Sequence, residues 1–416
     1  MINNDVRTCG AVDVTSEFGR LRAVLLHRPG VEIERMTPQT ATHALYSDIL
    51  NKRIVDNEYG SFCGVFEKWS EVYYVEDLLA FILGDDKVKE YIVFESCKID
   101  GCLDLIDDLL LLHPAQLAKS LIEGVEDVRW DGTSFDRYKL KPLYNLFFTR
   151  DASSTIFDKV LINTMSFDVR QRETLIYKAI FEHYFHVQTL NAMQWDGAAR
   201  TEGGDILVAN TNLLCIGQGI RTNRKGIEFL ADHFSHNRAK FNLIIQELPF
   251  HPESFIHLDM VFTFLGSHHC MVFEPMLTKK GVFSNLSTTV VTIDNGKVSY
   301  RDVDNIIGAL KMLGNDYQPI LCGGEDSWSQ MREQWHSGSN FFALGDCKVI
   351  GYERNGKTIE ALSKSGFSVL NAVDVCQGKV SMNDYDSFVV TFPGSELPRG
   401  GGGARCMTMP IRRDVL

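Results

Sequence analysis

Hydrophobic and polar positions follow two different patterns along this chain. Short apolar runs, typical of strands, occur at residues 21–26 and repeatedly after residue 145. Between about residues 62 and 125 the apolar residues recur instead at helical spacing. The clearest such set is Leu78, Leu79, Ile82 and Leu83. These patterns predict an α/β protein that carries a helical insertion.

One arrangement repeats after residue 145: a polar signature, an apolar strand, a turn and a second apolar strand. Such repetition, at intervals of about 50 to 80 residues, predicts pseudo-repeated modules that share one core. Equivalent modules would bring their polar signatures to one end of the body, so residues 145–416 are predicted to form one catalytic unit. The signatures are residues 145–151, 202–205, 257–259 and 338–340 and the glycine-rich segment 399–406.

Composition and charge narrow the class of protein. The 416 residues include 44% hydrophobic and 23% charged positions, which is ordinary for a globular protein and excludes a disordered or collagen-like chain. With 42 basic and 54 acidic residues the net charge is −12. A deficit of positive charge argues against nucleic-acid binding, because Lys and Arg supply most of that affinity. It favours a small cationic substrate.

The sequence also predicts a cytoplasmic protein that does not bind membranes. No apolar run approaches the roughly 20 residues of a membrane span. The first five residues, MINND, lack the basic start and apolar core of a signal peptide. The ten cysteines never form a CxxC pair, so they resemble neither a zinc framework nor a disulfide scaffold. We therefore expect reduced cysteines, a cytoplasmic protein and no membrane partner.

The polar signatures supply the side chains for covalent catalysis. Each one alone is more typical of a turn, a structural histidine or a buried thiol. Together they form a Cys/His/carboxylate set, and the surplus of carboxylates indicates a positively charged electrophile. A guanidinium group binds planar carboxylates in bidentate fashion, so paired aspartates suit it well. The set comprises Asp151, Glu202, Asp205, His257, Asp259 and Cys406.

Other kinds of site fit the sequence less well. Segment 399–406 lacks the GK[ST] ending of a phosphate loop, which disfavours nucleotide binding. It is either a flexible linker or a mobile loop that delivers Cys406 and closes over the substrate. The pairs His183/His186 and His233/His236 have helical metal-ligand spacing, but no third ligand joins them at a recognisable interval. We predict no metal and no cofactor.

Ordered motifs along nearly the whole chain resemble those of the arginine deiminase family, within the guanidine-modifying (amidinotransferase) superfamily. They are SEFGRLR (16–22) through HRPG (27–30), NLFFTRD (145–151), EGGD (202–205), HLD (257–259), GGED (323–326) with REQW (332–335), YERN (352–355) and ARCMTMP (404–410). The resemblance implies an α/β fold, a five-bladed pseudo-fivefold propeller with an inserted helical domain. Residues 1–61 and 143–416 would form the propeller, and residues 62–142 the insertion.

The resemblance also implies roles for individual residues. Cys406 would be the nucleophile, and Asp151 and Asp259 would hold the guanidinium nitrogens. His257 would act as general acid and base with Glu202 as its carboxylate partner. The implied substrate-binding residues, of which the first two arginines would bind the α-carboxylate, are Arg170, Arg221, Asn145, Phe148 and Asp205.

The implied reaction is hydrolysis of L-arginine to L-citrulline and ammonia through an S-alkylthiouronium on Cys406. Related activities stay open: an arginine dihydrolase that releases ornithine, a modified-arginine hydrolase, or an amidinotransferase. A non-catalytic guanidino-binding protein is a further alternative, which the complete set of catalytic residues disfavours. The expected partner is a small-molecule substrate, with neither nucleic acid nor membrane. The oligomeric state, including a homo-oligomer, stays open.

Overall fold

A computed structural model of the protein describes residues 12–132, 137–236, 238–278 and 283–416. The strands are β1 (Leu21–Leu26), β2 (Glu71–Tyr74), β3 (Val125–Glu126), β4 (Tyr138–Leu140), β5 (Ser153–Ile156), β6 (Lys159–Ile162), β7 (Thr189–Asn191), β8 (Ile206–Asn210), β9 (Leu213–Gln218), β10 (Lys240–Glu247), β11 (Phe262–Phe264), β12 (His269–Val272), β13 (Thr288–Asp294), β14 (Lys297–Val303), β15 (Gln318–Leu321), β16 (Phe342–Gly345), β17 (Lys348–Tyr352), β18 (Ser368–Asn371), β19 (Phe388–Phe392) and β20 (Met409–Arg413).

Helices alternate with these strands. They are α1 (Val31–Glu34), α2 (Pro38–His43), α3 (Lys52–Trp69), α4 (Val75–Ile82), α5 (Asp86–Asp100), α6 (Ile106–Leu110), α7 (Pro114–Glu123), α8 (Thr149–Ala152), α9 (Gln171–His183), α10 (Ala192–Trp195), α11 (Arg224–Ser235), α12 (Glu274–Thr278), α13 (Ile306–Met312), α14 (Ser327–Trp335), α15 (Gly356–Lys364) and α16 (Ala372–Cys376). The predicted α/β class is confirmed.

Five sheets of at least three strands repeat one arrangement. Four of them are built on the antiparallel pairs β5–β6, β8–β9, β11–β12 and β16–β17. The second strand of each pair lies parallel to a later one: β7, β10, β15 or β19. A parallel neighbour requires a crossover, and a helix lies in each connection. The fifth sheet has the order β2-β1-β20, so it joins the two ends of the described chain.

The repeated arrangement fixes where the polar signatures lie. Helix α8 ends directly before β5, and short 3₁₀ turns at Gly203–Asp205 and Leu258–Met260 precede β8 and β11. Each signature therefore lies at the start of the first strand of its module. Buried apolar residues of these strands form the cores beneath them, with Leu21, Val160, Leu214, Met271 and Val389 among those that solvent does not reach or barely reaches.

The helical region begins earlier in the structure than the hydrophobic pattern predicts. Helix α3 starts at Lys52, where the Asn51 side chain accepts a hydrogen bond from the backbone N–H of Ile54. Two glycines and several polar residues within α3 obscure its apolar face in the sequence. The region also contains a strand, because β2 pairs in parallel with β1. The division into a propeller and an insertion at residues 62–142 stays a prediction.

Two expectations from the sequence concern membranes and cysteines. Across the part of the chain that the structure describes, no helix is both long and apolar enough to cross a membrane. The described cysteines are free thiols, and all are buried except Cys347 and Cys376, which are half-buried. Cys9 lies outside the described residues.

Candidate active site

One pocket gathers residues from most of the polar signatures. Its wall includes seven of the ten residues singled out from the sequence: Asn145, Phe148, Asp151, Arg170, Arg221, His257 and Cys406. The other three, Glu202, Asp205 and Asp259, lie behind this wall and are fully buried. The glycine-rich segment also reaches the pocket, since Gly400, Gly401 and Gly402 line it.

Close packing explains the two glycines in the signature Glu202–Asp205. A Cβ atom on Gly203 would lie 2.0 Å from the backbone oxygen of Arg150. A Cβ atom on Gly204 would lie 2.5 Å from Nδ1 of His257. Contacts this short are not possible, so only glycine lets this turn pass directly beneath the imidazole ring.

His257 is held by carboxylates on two sides. Its Nε2 hydrogen-bonds to Oε2 of Glu202 at 3.0 Å, and its Nδ1 lies 3.9 Å from Oδ1 of Asp151. Burial alone would lower the pKa of the imidazole. The Asp151 charge, the hydrogen bond to Glu202 and the nearby Asp205 outweigh burial and raise the pKa of His257 to about 9. His257 therefore carries a proton at neutral pH.

Glu202 is the anionic partner that keeps this proton in place. Burial would raise its pKa, but the Arg221 guanidinium and the hydrogen bond from His257 hold the pKa of Glu202 at about 2. Nη1 of Arg221 donates to Oε2 at 3.0 Å, and the backbone N–H of Ser166 donates to Oε1 at 3.0 Å. The Nε of Arg221 is buried and has no hydrogen-bond partner among the described residues.

Asp151 is fixed through one of its two oxygens. Its Oδ2 accepts a hydrogen bond of 2.6 Å from Nη1 of Arg170. Arg170 in turn donates from Nε and Nη2 to Glu173 and from Nη2 to the backbone oxygen of Asn145. Oδ1 of Asp151 is buried without a hydrogen-bond partner in the described part of the chain. That oxygen is available to a cation in the pocket.

Asp259 is fixed in the same way by a different arginine. Its Oδ2 accepts a hydrogen bond of 2.8 Å from Nη1 of Arg405. The Nε and Nη2 atoms of Arg405 donate to the two oxygens of Glu17, each at 3.0 Å. Burial would raise the pKa of Glu17, but Arg405 and Arg150 hold it at about 2. Burial raises the pKa of Asp259, and Arg405 acts against this rise.

Cys406 lies beside Asp259. Its Sγ is 4.0 Å and 3.9 Å from the two oxygens of Asp259, and the side chain is 3% exposed. Burial raises the pKa of the thiol well above its ordinary value, and the charges of Asp259 and Asp151 raise it further. The site therefore keeps the thiol protonated until a cation enters and offsets the negative charge.

Two buried side chains hold the segment that leads to Cys406. The carboxylate of Glu58 accepts hydrogen bonds from the backbone N–H groups of Ser395, Glu396 and Leu397. The hydroxyl of Tyr352 donates to the backbone oxygen of Gly402 at 3.0 Å. The chain is thus anchored just before the glycine-rich segment and again at Gly402, and Gly400 and Gly401 between these anchors form part of the pocket wall.

Asp205 lies below His257 and does not reach the pocket. Its Oδ1 accepts a hydrogen bond of 2.9 Å from the backbone N–H of Leu258. Burial raises the pKa of Asp205 to about 7. A carboxylate held here fixes the turn that carries His257 and Asp259.

The remaining pocket residues are less polar. The ring of Phe148 is buried and packs so closely on Gly402 that a Cβ there would lie 2.4 Å from it. At the mouth, Phe167, Ile220 and Trp335 are all partly exposed, at 38%, 38% and 47%. The guanidinium of Arg221 lies 4.6 Å from the ring centre of Phe167. Apolar walls of this kind suit the methylene stem of a long cationic side chain.

Four buried residues contact the site although sequence reasoning gave them no role: Glu17, Glu173, Asn340 and Arg405. Glu17 and Arg405 belong to the motifs at residues 16–22 and 404–410, so their position in a motif was the available signal. Asn340 ends the signature 338–340, and Glu173 follows Arg170 by three positions. No spacing rule pairs residues that lie hundreds of positions apart.

The histidine pairs noted in the sequence form no metal centre in the structure. Within residues 12–132, 137–236, 238–278 and 283–416, no group of three His, Cys, Asp or Glu side chains is arranged to hold a metal ion. His233 stacks on the ring of Phe229, with ring centres 5.7 Å apart.

Comparison with solved structures shows the fold that this chain shares. An arginine dihydrolase from the ornithine-ammonia cycle in cyanobacteria, ArgZ, has an N-terminal domain that superposes with a TM-score of 0.54 at 13% identity. That match covers 95% of this chain and 98% of the domain. SxtG, an amidinotransferase from Microseira wollei, superposes with a TM-score of 0.54 at 14% identity over 97% of this chain and 98% of its own.

Sequence comparison assigns the family. A family model described as arginine deiminase matches residues 114–413. The arginine deiminase of Oenococcus oeni is 32% identical, and the match covers 97% of both chains. That of Clostridium perfringens is 31% identical, over 98% of this chain and 99% of the relative. This chain belongs to the arginine deiminase family.

Proposed function

We propose that the protein hydrolyses L-arginine to L-citrulline and ammonia through a covalent intermediate on Cys406. One observation carries the proposal: the Cys406 thiol, protonated His257 and Asp151 line one pocket, while Glu202 and Asp259 lie directly behind its wall, against His257 and the thiol. Asp151 and Asp259 each bond to a buried arginine through one oxygen, Oδ2. Oδ1 of Asp151 has no hydrogen-bond partner among the described residues, and Oδ1 of Asp259 faces the Cys406 thiol at 4.0 Å. We propose that both oxygens bind guanidinium nitrogens once the thiol proton has been released.

The pocket can orient the whole substrate. We assign the guanidinium to Asp151 and Asp259 and the methylene stem to the wall formed by Phe148. Arg221, with a free Nε, is placed to bind the α-carboxylate. Arg170 and Asn145 are proposed to assist. Arg170 already bonds to Asp151 and Glu173. In this proposal it therefore has two roles: it orients Asp151 and helps to bind the α-carboxylate of the substrate.

The first half of the reaction forms the covalent intermediate. Binding of the cation between the aspartates offsets the charge that disfavours the thiolate, and the thiol proton passes to solvent water. Sγ of Cys406 attacks the guanidinium carbon and forms a C–S bond. His257 then donates its proton to a terminal nitrogen, and the C–N bond breaks with its electron pair on the departing ammonia. An S-alkylthiouronium cation stays on the enzyme.

The second half returns the thiolate. Neutral His257 takes a proton from water, and the hydroxide adds to the thiouronium carbon. The tetrahedral adduct collapses: its hydroxyl proton passes to solvent water, the C–S bond breaks with its electron pair on sulfur, and citrulline leaves. Glu202 holds Nε2 of His257 throughout, so Nδ1 is the nitrogen that exchanges the proton. Asp205 fixes the turn that carries His257 by accepting a hydrogen bond from the backbone N–H of Leu258.

The repeated sheets support a finer proposal for the architecture. Five sheets share one pattern, and β20 pairs with β1 so that the last sheet joins both ends of the chain. We interpret them as the five blades of a pseudo-fivefold α/β propeller, assigned to residues 1–61 and 143–416, to which residues 62–142 add the strand β2. The helices of residues 62–142 are then an insertion into the first blade.

The proposed reaction also bears on the cofactors, the cellular compartment and the partners that the protein needs. Every step above uses side chains and water, so we propose that no cofactor or metal is required. The nucleophile is a cysteine and the other described cysteines are free thiols, which favours a reducing compartment such as the cytoplasm. The substrate is a small molecule, and neither a nucleic acid nor a membrane is needed.

A product assay tests the proposed function. The purified protein is incubated with L-arginine, and citrulline, ornithine and ammonia are quantified, with Cys406→Ser as the control for contaminating activity. One ammonia per citrulline without ornithine supports the deiminase. Ornithine with two ammonias identifies a dihydrolase instead. Absence of any product from arginine, agmatine and methylated arginines, with and without an added acceptor amine, would leave only the binding-protein alternative.

A further inference from the structure

The Asn340 side chain connects three parts of the site. Its Oδ1 accepts hydrogen bonds from the backbone N–H groups of Arg405 at 2.9 Å and Cys406 at 3.2 Å. Its Nδ2 lies 3.3 Å from Sγ of Cys406 and 3.1 Å from the backbone oxygen of Asp259. The residue is 2% exposed, so water does not compete for these contacts.

These contacts leave one orientation for the amide. The two backbone N–H groups need an acceptor, and only the oxygen of the amide can accept from them. The NH₂ group must then face Cys406 and Asp259. One of its hydrogens points to the Asp259 backbone oxygen. The other faces two sulfur atoms, Sγ of Cys406 at 3.3 Å and Sδ of Met260 at 3.6 Å, and a thiolate at Cys406 is the nearer and stronger acceptor.

The sulfur atom needs such a donor. Its closest charged neighbour, Asp259, is an anion that disfavours a second negative charge beside it. The backbone N–H of Gly403 and the charge of Arg405 act in the opposite direction. Asn340 adds a donor that carries no charge, so it favours the thiolate without repelling a guanidinium in the pocket.

We propose that Asn340 is a catalytic residue that donates a hydrogen bond from Nδ2 to the Cys406 thiolate. The proposal rests on the proposed function. The donor acts twice, when the thiolate forms before attack and when it is released from the tetrahedral adduct. In the thiouronium intermediate between these steps the sulfur carries no negative charge, so the hydrogen bond is weakest there.

Asn340→Asp separates this role from a structural one. A carboxylate keeps the acceptor for the N–H groups of Arg405 and Cys406 but has no donor for sulfur. Because it also adds a negative charge, Asn340→Ala is measured beside it, and a loss shared by both variants reports the missing donor. The measurement is the alkylation rate of Cys406 by iodoacetamide, followed by peptide mass spectrometry from neutral to alkaline pH. We expect the rate at each pH to fall about tenfold or more, since a lost donor raises the thiol pKa by about one unit.

Asn340→Ala carries the same test should the carboxylate prevent folding, and thermal unfolding reports the folded fraction of each variant. Asn355→Asp is the matched control: Asn355 is equally buried, donates from Nδ2 to the backbone oxygen of His336 at 3.0 Å and does not contact Cys406. Folded Asn340 variants with the wild-type alkylation profile would overturn the proposal. An equal loss in Asn355→Asp would also overturn it.

The assay contains no substrate, so it distinguishes this proposal from the proposed function. A wild-type protein that makes no citrulline, but whose Cys406 loses alkylation rate in Asn340→Asp, retains the hydrogen bond and loses the deiminase assignment. A wild-type deiminase whose Asn340→Asp variant keeps both the alkylation rate and kcat retains its function and excludes Asn340 as a donor.

Discussion

Nη1 of Arg405 donates a hydrogen bond of 2.8 Å to Oδ2 of Asp259, a residue 146 positions earlier in the chain. Neither side chain is more than 1% exposed, so the pair is screened from solvent. Because Arg405 directly precedes Cys406, one backbone segment carries both the proposed nucleophile and the cation that orients Asp259, which we propose binds the guanidinium. Glu17 completes the arrangement from the other end of the chain.

Removing the charge of Glu17 tests whether this arrangement supports catalysis. In Glu17→Gln, Arg405 keeps only Asp259 as a charged partner, and its direction toward that carboxylate is less well fixed. We expect the free energy of unfolding to fall by about 3 kcal/mol and kcat/KM for arginine by about tenfold or more. Denaturant unfolding and steady-state kinetics measure the two.

Glu32→Gln is the matched control for this prediction. Glu32 is equally buried, accepts a hydrogen bond from the backbone N–H of Gly30 and does not line the pocket. It should lose stability but keep kcat/KM. Equal losses of kcat/KM in both variants would assign the effect of Glu17 to general destabilisation.

The sequence contains enough to select side chains that the structure brings to one pocket, but less to predict the contacts between them. Asp151, His257 and Cys406 could be found because each belongs to a polar signature next to a strand, a position that the chain pattern alone marks. The bond between Arg405 and Glu17 could not, because it joins residues 388 positions apart. Such a contact depends on how the modules pack around their common core.

The same limit applies to the fold. The hairpins β5–β6 and β8–β9 follow from local apolar runs, and the structure contains both. The pairing of β1 with β20 is set by closure of the whole body, for which no local pattern exists. The start of α3 at Lys52 was missed because glycines within a helix weaken its pattern without breaking it.

The raised pKa of His257 predicts how activity and stability change in alkaline solution. With a pKa of about 9, the imidazole carries its proton through neutral pH and loses it above that value. We expect kcat/KM to fall as the pH rises through about 9, because the general acid is then lost. A pH profile of kcat/KM, with kcat measured separately, checks this.

The free energy of unfolding should also fall as the pH rises through about 9. Because the folded pKa lies above the ordinary value of 6.5, the interaction of charged His257 with its carboxylates contributes fully below pH 6.5. It is lost as the pH rises through about 9, at a cost on the order of 3 kcal/mol. Denaturant unfolding at a series of pH values should show this loss in the wild type and not in His257→Gln. Parallel curves for the two proteins would contradict it.

Replacing the nucleophile separates binding from chemistry. Cys406→Ser keeps the shape of the pocket, but a hydroxyl is a poor nucleophile at its own pKa. We expect turnover to fall by about four orders of magnitude or more, with arginine binding still measurable by calorimetry. Cys347→Ser, at a half-buried cysteine outside the pocket wall, should keep full turnover. Near-normal turnover by Cys406→Ser would exclude the covalent mechanism.

Arg221 has two roles in the proposed mechanism, and two substrates can distinguish them. Its Nη1 holds Glu202, the partner of His257, while its free Nε is placed for the α-carboxylate of arginine. Agmatine has the same guanidinium and stem but no carboxylate.

In Arg221→Ala we expect kcat/KM to fall about tenfold for agmatine through the weakened Glu202–His257 pair. For arginine we expect about a further tenfold loss or more, mainly in KM, because the charge-assisted bond to the carboxylate is also lost. Equal losses for both substrates would confine Arg221 to the support of Glu202, and the α-carboxylate would then have to be bound by Arg170.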